Sequence, residues 1–380
     1  MLSLRPFLFL AFIALPATAV QGQEKTPVAK GIDAATVAAY EKLGAEYGGW
    51  VMEKHAFQAG LKDPKDGWPA FKFKTFPTAK LPEVTNPFAL DLAVSDVTDA
   101  GLKELAPLQN LVLLDLRRTK VTDAGLKELI PCKSLNTLFL YSTKVGDAGM
   151  KDLAQLKRLT LLDLDSTKLT DVGLKDLKPL KNLTSLSLGL TKVSDAGLKE
   201  LAGHENLTSL YLWGTQVTDV GVKELTRFSK LTALELPYTK ITDEGLKDLA
   251  KLKNLTYLDL QKTQVTDLGL KELAGLKNLQ ILYLSYTNAT DTGLKELAGL
   301  KNVQTLRLDG TQVTDVGLKE LARLNGLQTL DLGFTKVSDL GLKELSGLKS
   351  LQTLALFRTN VTAVGVAALQ KALPKCKITR

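Results

Sequence analysis

The sequence of 380 residues has few of the side chains that build metal centres and disulfide frameworks. It contains only two cysteines and two histidines. Cys132 occupies a position that leucine fills in most copies of an internal repeat, and Cys376 lies about ten repeats further on, so no internal disulfide is expected. His204 also replaces a repeat leucine, and His55 has no Cys or His partner nearby. The sequence therefore predicts no metal site, no cofactor and no Ser/His/Asp or Cys/His catalytic site.

Long hydrophobic runs are also scarce, and the one candidate lies at the N-terminus. Arg5 precedes the apolar run PFLFLAFIALPATAV, and Ala17-Thr18-Ala19 has the small-x-small form of a cleavage site. This pattern predicts a signal peptide over residues 1–19 and a protein that is periplasmic, on the cell surface or extracellular. The run is short of the roughly 20 residues of a membrane span, and no later stretch is suitable. An uncleaved interfacial anchor is the alternative.

Charge of one sign is not concentrated anywhere along the chain. The 49 basic and 41 acidic residues give a formal charge of +8. Each copy of the repeat carries zero or one net positive charge, so the excess is spread along the molecule. Nucleic-acid binding needs clustered basic side chains, and no nucleic-acid partner is predicted.

What the sequence does have is a repeat of 24 residues. One threonine column runs from Thr119 to Thr359 at that spacing, and a glycine column runs from Gly101 to Gly365 through twelve copies. An aspartate precedes the glycine by two residues in eleven copies. The unit is L-x-x-L-x-L-x-x-T-x-V-T-D-x-G-L-K-E-L-A-x-L-K-N, and fixed-period similarity of this kind is the signature of a repeat architecture.

Each half of the unit predicts one structural element. In L-x-x-L-x-L the last two leucines lie two residues apart on one face of a strand. In D-x-G-L-K-E-L-A the aspartate, or the threonine before it, can cap a short helix, and the glycine permits close approach of neighbouring turns. One unit cannot bury its own leucines, so units must stack. We expect an α/β solenoid of about twelve repeats, with a parallel sheet on the concave side and short helices on the convex side.

The unit resembles the leucine-rich-repeat family, and in its T-x-V-T-D-x-G-L wording a bacterial secreted type related to the ribonuclease-inhibitor-like and cysteine-containing classes. The resemblance covers residues 87–380, with a C-terminal cap from about 359, and it implies a curved solenoid that recognises ligands. The family usually has asparagine where this chain has its threonine column. We expect those hydroxyls to bond the loop backbone of adjacent units.

The region before the repeats has no clear periodicity beyond a capped helix that begins near Asp33. We interpret residues 20–86 as an N-terminal cap helix and linker. A small functional domain in this region is the alternative.

Recognition is expected where the repeats differ from one another. The outward positions of the strands vary from unit to unit, and aromatic side chains concentrate there. Grouped aromatics of this kind are frequent binding hot spots, so we predict that the concave face binds a protein, a peptide or a surface glycan. The alternative is that strands favour aromatics and neighbouring rings merely pack together. The predicted contact residues are Phe139, Tyr141, Tyr211, Trp213, Tyr238, Tyr257, Tyr283, Tyr286, Phe334 and Phe357.

Several carboxylates are also expected on the outward face of the strands. Glu235 and Asp259 occupy equivalent positions on adjacent strands, and Asp163 shares a strand face with Asp165. Paired carboxylates can hydrolyse glycosides or hold calcium, but an open, wet concave face should leave them solvated and ionised. Arg307 beside Asp331 suggests ordinary charge pairing there. The sequence thus predicts a binding module and not an enzyme, with a passive structural or envelope protein and a carbohydrate-active enzyme as alternatives.

Overall fold

The computed structural model describes residues 31–61 and 67–380. The predicted signal peptide, with its cleavage after Ala19, lies outside these residues. The described part of the chain forms one sheet of 16 strands, in which the neighbour order from β3 to β16 follows the chain and β1 lies between β2 and β3. All pairings from β3 onward are parallel, whereas β1 pairs antiparallel with both β2 and β3.

The strands are short and recur once in each unit of the repeat. They are β1 Glu46–Val51, β2 Ala56–Ala59, β3 Gly67–Lys72, β4 Phe88–Asp91, β5 Leu111–Asp115, β6 Thr137–Phe139, β7 Leu161–Asp163, β8 Ser185–Ser187, β9 Ser209–Tyr211, β10 Ala233–Glu235, β11 Tyr257–Asp259, β12 Ile281–Tyr283, β13 Thr305–Arg307, β14 Thr329–Asp331, β15 Thr353–Ala355 and β16 Lys377–Thr379.

A short helix follows each strand from β4 to β15. The helices in the described residues are α1 Ala34–Lys42, α2 Asp99–Leu102, α3 Asp123–Leu126, α4 Met150–Leu153, α5 Asp171–Leu174, α6 Asp195–Glu200, α7 Asp219–Leu225, α8 Asp243–Leu249, α9 Asp267–Leu273, α10 Asp291–Leu297, α11 Asp315–Leu321, α12 Asp339–Leu342 and α13 Ala363–Ala372. Several continue into a 3₁₀ turn, as Lys127–Leu129 does after α3. None of these helices combines the length and the apolar character that crossing a membrane requires.

The strands and helices are held together by one continuous leucine core. The central leucines of neighbouring strands stand in register, as Leu138 does with Leu162 and Leu162 with Leu186. These side chains are fully buried together with the helix leucines of the same units. Cys132 and His204, both expected at leucine positions, are also fully buried. The predicted α/β leucine-rich-repeat solenoid is confirmed.

The threonine column does not join adjacent units, so that expectation is wrong. In every copy the hydroxyl donates to the carbonyl of the strand leucine three residues earlier in the same unit, as Thr119 does to Leu116 at 2.7 Å. The threonine thus closes the turn that follows its own strand. A hydroxyl donates only one hydrogen bond, and this short local one leaves none for the next unit.

Adjacent units are joined instead by the aspartate column. Asp195 accepts hydrogen bonds from the backbone N–H of Thr218 at 2.8 Å and from its hydroxyl at 2.6 Å. The same threonine caps its own helix by accepting from the N–H of Val220. A Cβ on Gly221 would overlap Asp195 Oδ1, so the glycine is needed to admit the carboxylate of the preceding unit. This arrangement confirms close approach at the glycine and gives its reason.

A left-handed residue ends the turn after each repeat strand. Tyr238 has φ 58° and Tyr286 has φ 57°, and the equivalent position is Gly214 or Gly310 in two other units. Non-glycine residues enter this region at a cost. The turn directs the side chain at this position to the edge of the sheet.

The N-terminal residues extend the sheet and then fold across it. Asp33 caps α1 as predicted, but the predicted cap continues as a hairpin of β1 and β2. The stretch without periodicity contains β3, which pairs with β4. Trp50 of the hairpin is fully buried and packs with sheet side chains that include Leu113. The hairpin therefore covers the first units of the sheet.

Candidate functional site

The concave face predicted from the sequence is the side of the sheet turned away from the leucine core, called here the sheet face. Each strand from β6 to β15 contributes its first and third residues to this face, and the fifth residue follows in the turn. In β10 these residues are Ala233, Glu235 and Pro237. The pairings of β9 with β10 and of β10 with β11 place Tyr211, Glu235 and Asp259 in one row.

The N-terminal end of the sheet face is occupied by the hairpin. Phe139 is 3% exposed and its ring stacks on Trp50 at 5.5 Å. Arg117 donates to the Asp115 carboxylate and, at 3.0 Å, to the carbonyl of His55 in the hairpin. These contacts use the predicted contact residue Phe139 to hold the chain's own hairpin. Phe139 therefore has almost no exposed surface to offer to a partner.

The middle of the sheet face carries a buried group of aromatic and acidic side chains, which we call the central patch: Tyr211, Glu235, Tyr257, Asp259 and Tyr283. Tyr257 donates its hydroxyl to Glu235 Oε1 at 3.0 Å and packs edge-on against Tyr283 with ring centres 5.6 Å apart. Tyr257 is 1% exposed and Tyr283 is 5% exposed. These rings are buried by side chains of the sheet face, among them Ala233 and Ile281, and not by the leucine core.

The carboxyl groups of the central patch are not solvated charges, so that expectation is wrong. Burial and the neighbouring Asp259 raise the pKa of Glu235 to about 8, although the hydrogen bond from Tyr257 acts against them. Burial raises the pKa of Asp259 to about 7, against the Gln261 N–H and Arg307. The sequence shows that two acids are adjacent, but it does not show that tyrosines on either side remove their water.

Two further carboxyls lie on the sheet face between the hairpin and the central patch. Asp165 accepts from the Trp213 indole N–H at 2.9 Å, and the indole fills the space where Gly189 has no side chain. Burial and the charge of Asp165 raise the pKa of Asp163. Trp213 thus extends from its own unit over Gly189 to Asp165, two units away.

The edge of the sheet carries the exposed aromatics, interleaved with cations. We call these residues the edge ladder: Tyr238, Lys262, Tyr286, Phe334, Phe357 and Arg358. The Lys262 ammonium lies 4.8 Å from the ring centre of Tyr238 and 5.1 Å from that of Tyr286. Arg358 lies at about 5.5 Å from the rings of Phe357 and Phe334. Tyr238 and Phe357 are each 53% exposed, in contrast to the tyrosines of the central patch.

The left-handed turn accounts for three of the four exposed aromatics, and the fourth, Phe357, lies at the fifth position of its unit. Tyr238, Tyr286 and Phe334 occupy the left-handed position, whereas Tyr211, Tyr257 and Tyr283 lie within strands. Tyr141 and Trp213, at the fifth position, are partly buried. Sequence reasoning missed Lys262 and Arg358, which occupy the same variable left-handed column. The variability of that column was the available signal.

Chemistry at the sheet face is limited by the ligands that the described residues offer. They contain no group of three or more His, Cys, Asp or Glu side chains able to hold a metal ion. Arg307 lies over the Tyr283 ring at 4.5 Å. It forms no ion pair within 4 Å among the residues that the structure describes, so its expected pairing with Asp331 is only a longer-range attraction. His204 is held between the Leu201 and Leu177 carbonyls. The arrangement is suited to binding through aromatic and charged groups.

Comparison with known proteins agrees with this architecture. A family model described as "Leucine-rich repeat region" matches residues 206–377, and one described as "Leucine Rich repeat" matches residues 108–129 and 180–202. No curated protein matches the chain.

Many solved structures are similar to it, and two of them illustrate the likeness. One is an internalin of Listeria monocytogenes, 24% identical over 79% of this chain and 90% of that one, with a TM-score of 0.59. The other is a leucine-rich-repeat protein of Leptospira interrogans, 28% identical over 78% and 76%, with a TM-score of 0.55. With its 24-residue units, leucine core and parallel sheet, the chain belongs to the leucine-rich-repeat proteins.

Proposed function

We propose that this protein is an exported binding module that recognises a partner protein through the edge ladder and the adjoining sheet face. The apolar segment behind Arg5 supports export, to the periplasm, the cell surface or the surroundings. The observation that carries the proposal is the edge ladder itself. Four of its residues are large aromatic side chains that stay exposed on a scaffold whose other large apolar side chains are mostly buried.

A protein partner is favoured by the composition of the ladder. Tyrosine, phenylalanine and arginine supply large contact area with few rotatable bonds, and such residues dominate the energy of protein interfaces. Ordered pairs such as Lys262 between Tyr238 and Tyr286 are already positioned, which lowers the entropy that binding costs. A purely structural role would leave these side chains without a reason to be grouped at one edge.

Photo-crosslinking tests the proposal directly. A photoreactive phenylalanine analogue at Phe334 should crosslink a discrete partner in extracts of the source cell envelope. The matched control carries the same analogue at Leu268, which is 76% exposed at the start of α9 on the helical side. Equal crosslinking from both positions, or from neither, would contradict recognition at the edge ladder.

A variant measures the contribution of the ladder once the partner is purified. Tyr286→Ser with Phe357→Ser should weaken binding at least about tenfold, since hot-spot truncations cost about 2 kcal/mol or more. Val316→Ser on the helical side should change affinity by less than about twofold. A separate hydrolysis assay on Glu235→Gln tests the enzyme alternative, because a glycoside hydrolase would lose activity in that variant.

A further inference from the structure

The central patch is an acidic site on a basic molecule. The third and fifth positions of the units from β7 to β14 carry six carboxyl groups and one cation, Arg307. The carboxyl groups belong to Asp163, Asp165, Glu235, Asp259, Asp309 and Asp331. The whole chain has a formal charge of +8. A local excess of the opposite sign attracts groups that the rest of the surface repels.

Within the patch, Glu235 and Asp259 stand side by side in the β10–β11 register. Neither is among the ion pairs that the described residues form. Glu235 accepts one hydrogen bond from Tyr257, and Asp259 accepts one from the Gln261 N–H. Two carboxyls that are largely removed from water and form no ion pair are costly when ionised, and a bound cation would lower that cost.

An unsatisfied hydroxyl points to the same place. Tyr211, paired with Glu235 in the register, is 9% exposed. Its hydroxyl meets hydrogen-bond geometry with no group among the described residues. Burial and the Glu235 carboxylate raise the pKa of Tyr211, and the Ser209 and Ser185 hydroxyls act in the opposite sense. The phenol therefore stays neutral beside Glu235.

We propose that the central patch binds a lysine or arginine side chain presented by the partner protein. This inference rests on the proposed function, since the patch and the edge ladder share strands: Tyr238 follows Glu235 by three residues, and Tyr286 follows Tyr283 by three. A protein resting on the ladder lies next to the half-buried Glu235. A long cationic side chain contacts Glu235, while the more deeply buried Asp259 acts through its charge.

The surroundings favour an organic cation over a metal ion. Aromatic rings attract ammonium and guanidinium groups, and Tyr211 and Tyr283 stand on either side of the carboxyl pair. Calcium takes six to eight oxygen ligands, which two carboxyls and a phenol do not supply. The described residues contain no cluster suited to a metal.

Binding should therefore depend on pH in a defined direction. A cation favours ionised carboxyls, so it should release protons near pH 7 and bind more tightly at pH 9 than at pH 6. The groups that face the pair from neighbouring strands or act on it by charge are Tyr211, Tyr257, Tyr283, Asp165, Arg307 and Asp309. An arginine probe keeps its own charge over this range.

The test uses pentaarginine as the probe and the neutral pentacitrulline as its control, measured by calorimetry on the full chain. We expect pentaarginine to bind about tenfold more tightly at pH 9 than at pH 6, with proton uptake by the buffer at pH 7. Glu235→Gln with Asp259→Asn should weaken binding at pH 9 by about tenfold or more and abolish proton release. These amides mimic the protonated acids, so the fold should survive.

A matched double variant separates a specific site from general attraction. Asp309→Asn with Asp331→Asn removes the same charge from the same face and should weaken binding less than about threefold. Equal losses in the two double variants, or equal binding of pentacitrulline, would overturn the inference. If the Phe334 crosslink persists while pentaarginine shows no preference for the patch, this inference falls and the proposed function stands. If the Phe334 crosslink to a partner is absent, the proposed function is wrong, whatever the result with pentaarginine.

Discussion

The joint between units predicts that the effect of one glycine substitution on stability depends on the aspartate it contacts. In an exposed helix, replacing Gly221 by alanine should stabilise the protein by about 1 kcal/mol. Here the added Cβ overlaps Asp195 Oδ1, and overpacking costs about 1–3 kcal/mol. Gly221→Ala should therefore lower the free energy of unfolding by about 1–2 kcal/mol.

The penalty should largely disappear once the carboxylate is gone. In an Asp195→Ala background the remaining neighbours of the new Cβ are the flexible Leu198 Cδ1 at 3.1 Å and the backbone Cα of residue 195 at 3.2 Å. There Gly221→Ala should be neutral to within about 0.5 kcal/mol or mildly stabilising. Asp195→Ala itself should cost about 2–3 kcal/mol, because it removes both hydrogen bonds to Thr218 from a partly exposed site.

Urea unfolding followed by circular dichroism measures all four corners of this cycle. We expect a coupling of about 1–2 kcal/mol between Gly221 and Asp195. Gly347→Ala is the control, since no atom lies within 4 Å of a Cβ there, and it should be neutral or stabilising by up to about 1 kcal/mol. Additivity within about 0.5 kcal/mol would refute the steric account of the glycine column.

Three further predictions concern single residues. Val94 is β-branched at φ 61°, so Val94→Asn should raise the free energy of unfolding by about 1 kcal/mol, and an unchanged urea midpoint would contradict this strain. Burial raises the pKa of Asp115, and Arg117 lowers it. Arg117→Met should therefore cost about 3–5 kcal/mol of stability at pH 8 and less at pH 5, where the Asp115 carboxyl can take up a proton. Equal losses of stability at both pH values would contradict this prediction. Folding raises the pKa of Glu235 from 4.5 to about 8, so the free energy of unfolding falls as pH rises from 5 to 8. Glu235→Gln should flatten this decline and have a higher free energy of unfolding than the wild type at pH 9. Parallel stability curves for the two proteins would falsify this.

The fold could be predicted from the sequence because every unit repeats the same pattern of leucine, aspartate and glycine positions. The leucine spacing gives the strand, and the D-x-G-L segment gives the helix; stacking follows because a single unit cannot bury its leucines. The N-terminal hairpin could not be predicted in this way, because it lies outside the repeats. It has no repeat partner, and its contact between Trp50 and Phe139 joins segments far apart in the sequence.

The site was predictable only as a set of positions. The repeat identifies which residues face outward, but their exposure depends on neighbours in adjacent strands and on the backbone. Tyr257 is buried because Tyr283 packs against it. Tyr286, three residues beyond Tyr283, is exposed to solvent because it lies at the left-handed turn. The raised pKa of Glu235 likewise depends on rings contributed by other units.

Each aspartate accepts hydrogen bonds from the following unit, and this has a consequence for how the molecule can grow. The residue that donates to the preceding unit and the aspartate that accepts from the next one are adjacent, as Thr218 and Asp219 are, so each interior unit carries both halves of the joint. Duplicating such a unit adds a strand and a helix without requiring a new interface to be invented. Substitutions on the sheet face leave the joint untouched, since Asp195 and Thr218 lie beside the helices. The length of the solenoid and the identity of what it recognises can therefore change independently.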